Sequence, residues 1–351
     1  MEMLWFWIAA VMVAVYVVMD GFDFGAGALH LAVAKSDRER RQVLAAIGPF
    51  WDGNEVWLLA GGGVLFLAFP KVLASGLSGF YLAIMLVLWV LILRGIAIEF
   101  RSHVGDGMWR SFWDGTFFLA STLAPVLFGA ALGNLLRGVP LDAEGWFALP
   151  FFESFSPFPE NGALGILDWY TVLAGVFALV ALAHHGALFL AWKTDGPVHR
   201  RSRVWAGRLF PAVASLWIFA SVATASVAPE VFAGIPGRPL AWLATLLAVV
   251  GIVMSFVHRR AGRDLAAFLG SAAFLLGILA ATAASIFPTM LKSATDPALS
   301  LSAVNSAASA TSLTRGLWWW PVGLVLAVVY VAFLFHFHRG KVQAAAEGEG
   351  Y

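Results

Sequence analysis

GPFWDGNEVWLLAGGG, residues 48–63, sets two carboxylates, Asp52 and Glu55, at the head of a run that stays apolar as far as Phe69. Trp51 and Trp57 bracket the acids and Asn54 lies between them. Charge at the mouth of a lipid-embedded helix is expensive and usually faces protein or water. The composition says that lipid is the right solvent to consider. With 351 residues, 60% hydrophobic and only 12% charged, and a mean hydropathy of +0.82, the chain has more apolar surface than a soluble core of its size could hide. The fold class is therefore an all-α polytopic membrane protein.

A net charge of +1 gives no reason to expect nucleic acid, and the absence of cysteine excludes disulfides, iron–sulfur clusters and thiolate zinc sites. The amino terminus is apolar but carries Glu2, lacks a basic leader and runs on past a cleavable length, so it reads as a retained span. About nine segments are long enough to cross a hydrocarbon core at ~20 residues each. They are 4–33, 43–69, 72–93, 114–136, 166–192, 208–228, 239–257, 265–287 and 318–337.

Lysine and arginine orient these spans. With the N-terminus external, the internal segments hold 17 of the 22 basic residues, leaving outside only Lys71, Arg137, Arg238, Lys292 and Arg315. The positive-inside rule thus gives one answer at every loop, with the C-terminus in the cytoplasm. External residues 137–165 mix Trp146, Phe147, Phe151, Phe152, Phe155 and Phe158 with prolines and the acids Asp142, Glu144, Glu153 and Glu160, suiting an interfacial loop. Residues 288–317 read as an irregular serine-rich cap, Trp318, Trp319 and Trp320 as an aromatic belt, and the small polar tail beyond Lys341 as disordered.

Within the spans the ionisable residues carry the information. Asp20 and Asp23, in MDGFDFGAG, are three apart and share a helix face, while Gly21, Gly25 and Gly27 thin the helix for a close neighbour. On this topology they lie at about the depth of Asp52 and Glu55. Four acids near the cytoplasmic side, with Glu99 as a fifth, suit a hydrated proton-carrying cluster. The alternative is structural: acids capping a helix N-terminus or paired with Arg94 and Arg101. His184 and His185 are adjacent, hence ~100° apart on a helix and unable to face one iron together. No spacing of the eight histidines forms a haem pair or zinc site, and no phosphate loop, dinucleotide fingerprint or serine nucleophile elbow occurs in credible context. Gly61, Gly62 and Gly63 are read as helix-packing residues.

The motifs MDGFDFGAGALHL (19–31), GPFWDGNEVWLLAGGGVLFLAFP (48–70), SGFYLAIMLVL (78–88), RGIAIEFRS (94–102) and GNLLRGVP (133–140) together resemble subunit II of the cytochrome bd quinol oxidases. AHHGALFLAWKTDG (183–196), FPTMLKS (287–293) and NSAASATSLT (305–314) extend the likeness along nearly the whole chain. The resemblance implies two four-helix bundles, 1–136 and 166–287, joined by external loops 137–165 and 288–317, then a peripheral ninth helix, 318–337, and a cytoplasmic tail, 338–351.

It further implies a non-haem subunit of a quinol:oxygen oxidoreductase in the bacterial plasma membrane. The haem d and b-type haems would lie in subunit I, with room for small accessory subunits and for a structural quinone in this subunit, and no cofactor would be held firmly by this chain. The resemblance gives Asp52 a place on a cytoplasmic proton pathway, with Trp51 and Glu55 beside it and Asp20 and Asp23 as polar lining or structural partners. Asn54, Arg94, Glu99 and Arg101 would support them. The chain departs from the family pattern at Gly95, where proline is common, and at Glu99–Phe100–Arg101. Two other readings stand beside this one: a proton-coupled secondary transporter, which nine spans and inner-leaflet acids also suit, and a purely structural scaffold subunit.

Overall fold

The computed structural model describes residues 1–159, 162–233 and 235–342. Glu160 and the tail from residue 343 onward lie outside the described residues. Twelve α-helices are present among those described: α1 (Glu2–Val33), α2 (Asp37–Ile47), α3 (Trp51–Ala68), α4 (Pro70–Gly79), α5 (Tyr81–Phe100), α6 (Gly107–Arg137), α7 (Trp169–Lys193), α8 (Gly196–Val227), α9 (Glu230–Ala233), α10 (Pro239–Arg260), α11 (Asp264–Ile286) and α12 (Ala310–Phe337). Eight are long and apolar enough to cross a membrane. α3 and α4 make a ninth only as a broken pair, bent by 119°.

The break at α3–α4 follows from local chemistry. Pro70 has no N–H to continue the helix and disfavours helical geometry at Phe69, whose ψ of +57° turns the chain. The expected span 43–69 is divided again, because residues 43–47 belong to α2. That helix is amphipathic and opens with a capping box, Ser36 Oγ accepting from Glu39 N and the Glu39 carboxylate from Ser36 N. The span expected over 72–93 proves to be the end of α4 followed by α5. α12 starts at Ala310 rather than Trp318, because the Ser309 hydroxyl accepts from Ser312 N and sets the N-cap there.

α1 is the hub, packed against α3, α6, α7 and α11. α7 packs against α6 and α8, and α10 mainly against α11. Close approach at the hub depends on glycine: a Cβ on Gly25 would stand 2.0 Å from the Leu182 carbonyl and 2.7 Å from Gly186 N. Of the glycine triplet, only Gly61 packs, 3.7 Å from Met12 Cβ; Gly62 and Gly63 would meet nothing within 4 Å. The packing role expected for all three is therefore confined to one, since successive residues turn by ~100° and carry the others away from α1.

α12 rides on the outside, with no residue of its apolar window fully buried. Trp5 Nε1 donates to Leu313 O at 3.2 Å near one end, and Tyr330 lies over Gly53 near the other. The loop after α6 buries Phe147 against Gly79 and Phe80 and leaves Trp146, Phe152, Phe155 and Phe158 exposed. The expected irregular cap contains a short antiparallel pair, Thr289–Leu291 with Leu301–Ser302.

Candidate functional site: a buried carboxylate cluster

Three helices bring the charged motifs together. Asp20 and Asp23 on α1 are fully buried, as is Arg94 on α5. Arg94 Nη1 donates to Asp20 Oδ1 at 2.7 Å and Nη2 to Glu55 Oε1 on α3 at 2.6 Å. The same guanidinium lies 4.1 Å from the centroid of the Phe24 ring. Asn54 binds the other acid: its Nδ2 donates to Asp23 Oδ2 at 2.7 Å and to Met19 O at 3.0 Å. Within the WDGNE stretch, Asn54 is therefore buried and bound to α1, while Glu55 reaches Arg94 and is 27% exposed. Asp20 Oδ2 and Asp23 Oδ1 have no hydrogen-bond partner among the described residues.

Asp52 stands apart. It is exposed in the first turn of α3, one turn before Glu55. Trp51 packs on α5, where a Cβ at Gly95 would come within 3.2 Å of its ring. The departure from proline at position 95 thus leaves bare backbone under the tryptophan that precedes Asp52.

Arg101 does not join this cluster. It organises a second one nearer the α5 terminus, with its Nε 2.6 Å from Asp114 Oδ1 and its Nη2 2.8 Å from Asp37 Oδ1. Asp114, buried on α6, also accepts from Arg40 Nη1 at 2.8 Å and lies 2.7 Å from His30 Nε2. Asp37 in turn meets Arg41 and Arg110. Glu99 is exposed near this end of α5. Sequence reasoning passed over Asp114, which lies at the assumed start of a span. The signal was present, because Trp113–Asp114–Gly115 repeats Trp51–Asp52–Gly53.

His184 Nε2 lies 3.1 Å from Ser255 Oγ. Both ring nitrogens of His185 are engaged, with Ser271 Oγ at 2.6 Å and Val18 O at 3.1 Å, so it does not fit the role of an axial haem ligand. Among the described residues no group of three or more histidine, cysteine or acidic side chains is placed to hold a metal.

A polytopic helical membrane protein with a buried carboxylate–guanidinium cluster is a restricted class, and comparison with known proteins narrows it further. Residues 1–337 match the family described as cytochrome bd terminal oxidase subunit II. The chain belongs to that family. It is 32% identical to the probable cytochrome oxidase subunit 2 of Haemophilus influenzae over 98% of this chain and 96% of the relative. It is 31% identical to the cytochrome bd ubiquinol oxidase subunit 2 of Bacillus subtilis, covering 88% of this chain and 87% of that one. The cytochrome bd-I ubiquinol oxidase subunit 2 of Escherichia coli K12 is 28% identical over 97% and 95%. The bd oxidase structure from Geobacillus thermodenitrificans shares the fold, with a TM-score of 0.74 and 16% identity over 96% of this chain and 98% of that chain.

Proposed function

We propose that this chain is the non-haem subunit of a quinol:oxygen oxidoreductase of the bacterial plasma membrane, that it stabilises a haem-bearing subunit I, and that its carboxylates supply protons for oxygen reduction. Family membership favours this reading over a secondary transporter. The observation that carries the proton role is the graded burial from exposed Asp52 through partly exposed Glu55 to fully buried Asp20 and Asp23. Two carboxyls, Asp20 and Glu55, share one guanidinium and a third, Asp23, is held by the neutral Asn54, leaving capacity for protons to be taken up and passed on. The oxygens of Asp20 and Asp23 left without a hydrogen-bond partner among the described residues are places where water can continue the path. Haem in subunit I supplies the oxygen chemistry; the residues of this chain collect protons at Asp52 and hold them at the buried acids.

The reading includes an external N-terminus and a cytoplasmic C-terminus, which puts Asp52 on the proton-supplying side. The ion pairs fit that division, with Arg201 to Glu39 and Arg203 to Asp264 on the inner side and Arg137 to Asp168 on the outer side. We divide the chain into bundles 1–136 and 166–287, with external loops 137–165 and 288–317, now shortened by the start of α12 at Ala310. A structural quinone and small accessory subunits are compatible with this arrangement.

A purely structural role is the second reading, favoured by Arg94 clamping α1, α3 and α5 together. Oxygen consumption by the assembled complex separates the two. Asp52→Asn is isosteric and lies outside the clamp, so a proton conductor loses turnover by about tenfold or more while keeping its haem spectrum. Wild-type turnover in that variant refutes the role of Asp52, and a purified complex without haem refutes the oxidase reading.

A further inference from the structure

The first turn of α3, which carries Asp52, starts without a side-chain cap. Its N-cap residue is Phe50, which offers the free N–H groups no acceptor, whereas α2 just before it opens with a full capping box. Packing around Phe50 holds this turn instead, and the ring is fully buried. Phe22 and Phe189 meet it edge-on from α1 and α7. The remaining neighbours come from the far end of the chain and the end of α7: Phe335 with its ring centroid 4.7 Å away, His338 at 5.9 Å, and the Lys193 ammonium 5.4 Å from the centre of the ring. Tyr330 covers Gly53 one turn further along α3.

The residues after α12 close over this packing. Gly340, at a φ of +101° that favours glycine, turns the chain across the end of α7. There Val342 N donates to Lys193 O at 2.7 Å, and Lys341 Nζ donates to Thr194 O at 2.6 Å and to Ala191 O at 3.3 Å. A cation suits the C-terminal end of a helix, where carbonyls lack partners and the dipole is negative. Gln42 of α2 completes the tie, its Nε2 donating to Val342 O at 3.1 Å and to Asp195 Oδ1 at 2.9 Å. Lys193 is itself buried and donates from Nζ to His338 O, with the rings of Phe50 and Trp192 as its other neighbours. A buried ammonium depends on such a carbonyl and such ring faces. Five residues, 338–342, thus join the ends of α12 and α7 to α2 and, through Phe50, to the start of α3.

We propose that residues 338–342 are a clasp that fixes the first turn of α3 and so positions Asp52. Lys193 and Lys341 are positioning residues, acting on Asp52 through Phe50 and the end of α12. The effect on turnover rests on the proton role proposed for Asp52, whereas the hold on α3 does not.

The test is amide hydrogen exchange in the whole oxidase complex, read on peptides covering residues 50–58, together with quinol-driven oxygen consumption. Lys341→Ala takes the ammonium away from both carbonyls, and Val342→Pro removes the N–H that donates to Lys193 O. Lys341 is exposed and Val342 partly so, which lets both complexes assemble. Each variant should speed exchange at residues 50–58 by about fivefold, the factor expected for one lost hydrogen bond, and leave peptides of α10 and α11 unchanged. Turnover should fall by about twofold or more with the KM for quinol unchanged, because a carboxylate is moved and not the quinol site. Val342→Pro combined with Asp52→Asn should turn over no more slowly than Asp52→Asn alone, since the clasp acts through Asp52. Wild-type exchange at residues 50–58 in both variants overturns the proposal, as does an equal rise in α10 and α11, which would mark general loosening. A further loss of turnover in the double variant overturns the positioning of Asp52. Wild-type turnover in Asp52→Asn refutes the proton role alone, and faster exchange at residues 50–58 still supports the clasp.

Discussion

Replacing Arg94 by methionine tests the central cluster most directly. The change keeps most of the side-chain volume and removes the charge that faces Asp20 and Glu55. The two acids differ in what they can do next. Glu55 is 27% exposed and can swing toward solvent, whereas Asp20 is 0% exposed and has nowhere to go. Breaking a buried pair by removing one partner typically costs about 3–5 kcal/mol, because the other charge stays uncompensated. Loss of the contact with the Phe24 ring adds to this, at about 1–2 kcal/mol for a desolvated pair. Asp20→Leu alone should cost less, since Glu55 still faces the guanidinium. The double variant Asp20→Leu/Arg94→Met removes both buried charges together, leaves Glu55 free to turn to solvent and should recover much of the loss, giving a coupling of about 2 kcal/mol or more. Unfolding of the purified complex in mixed micelles of rising SDS content, followed by tryptophan fluorescence, supplies the four corners of this cycle. Wild-type stability in Arg94→Met, or strict additivity in the double variant, would refute the buried-clamp argument.

Two further perturbations follow from the packing and the inner surface. Gly25→Val should abolish assembly, because even its Cβ would strike the α7 backbone at 2.0 Å; Gly62→Ala, with nothing within 4 Å, should assemble normally and gain up to about 1 kcal/mol of helix propensity. Yield of intact complex on size exclusion distinguishes them, and equal yields would refute the α1–α7 contact. Glu39 is held below the ordinary carboxylate range, chiefly by its hydrogen bond from Arg201, 2.8 Å away. A depressed folded-state value contributes stability above the ordinary carboxylate pKa that is lost as pH falls through the folded one. Glu39→Gln should therefore be less stable than wild type at neutral pH and indistinguishable from it once both forms of Glu39 are protonated; a difference that persists unchanged into acid would refute this pairing.

The spans were legible because lipid demands long apolar runs, and the α1 face was legible because acids and glycines recur at helical spacing in MDGFDFGAG. The interruptions were less so. α2 blends from charged to apolar without a break before Gly48, so residues 43–47 read as the start of a span when they belong to an interfacial helix. Pairing over distance was also hidden. Arg94 meets Asp20 across 74 residues, and Arg101, written in the same RGIAIEFRS motif, goes to Asp114 and Asp37 instead. Seven residues are two helical turns, or ~10 Å along the axis, enough to deliver two arginines of one motif to different clusters.

That separation bears on how a structural clamp and a proton route can share one site. Asp20 spends an oxygen on Arg94 and Glu55 spends one on the same guanidinium, so both are tied to the contact among α1, α3 and α5. Asp23 is tied instead to Asn54, a neutral donor on the same turn of α3 as Glu55. A neutral partner can donate its N–H to either charge state of a carboxyl group, whereas an ion pair is lost when its carboxylate gains a proton. On the proposed proton route the cluster would divide its work by partner: Arg94 would hold the helices, and Asn54 would keep Asp23 oriented through a change of charge. Asp52 is exposed one turn below and outside the clamp, so on the proposed route it would meet water without loosening the contact between the helices. Under the proposed function, scaffold and conductor would be two properties of adjacent side chains in WDGNE, which is why the stability cycle at Arg94 and the turnover assay at Asp52 must be read separately.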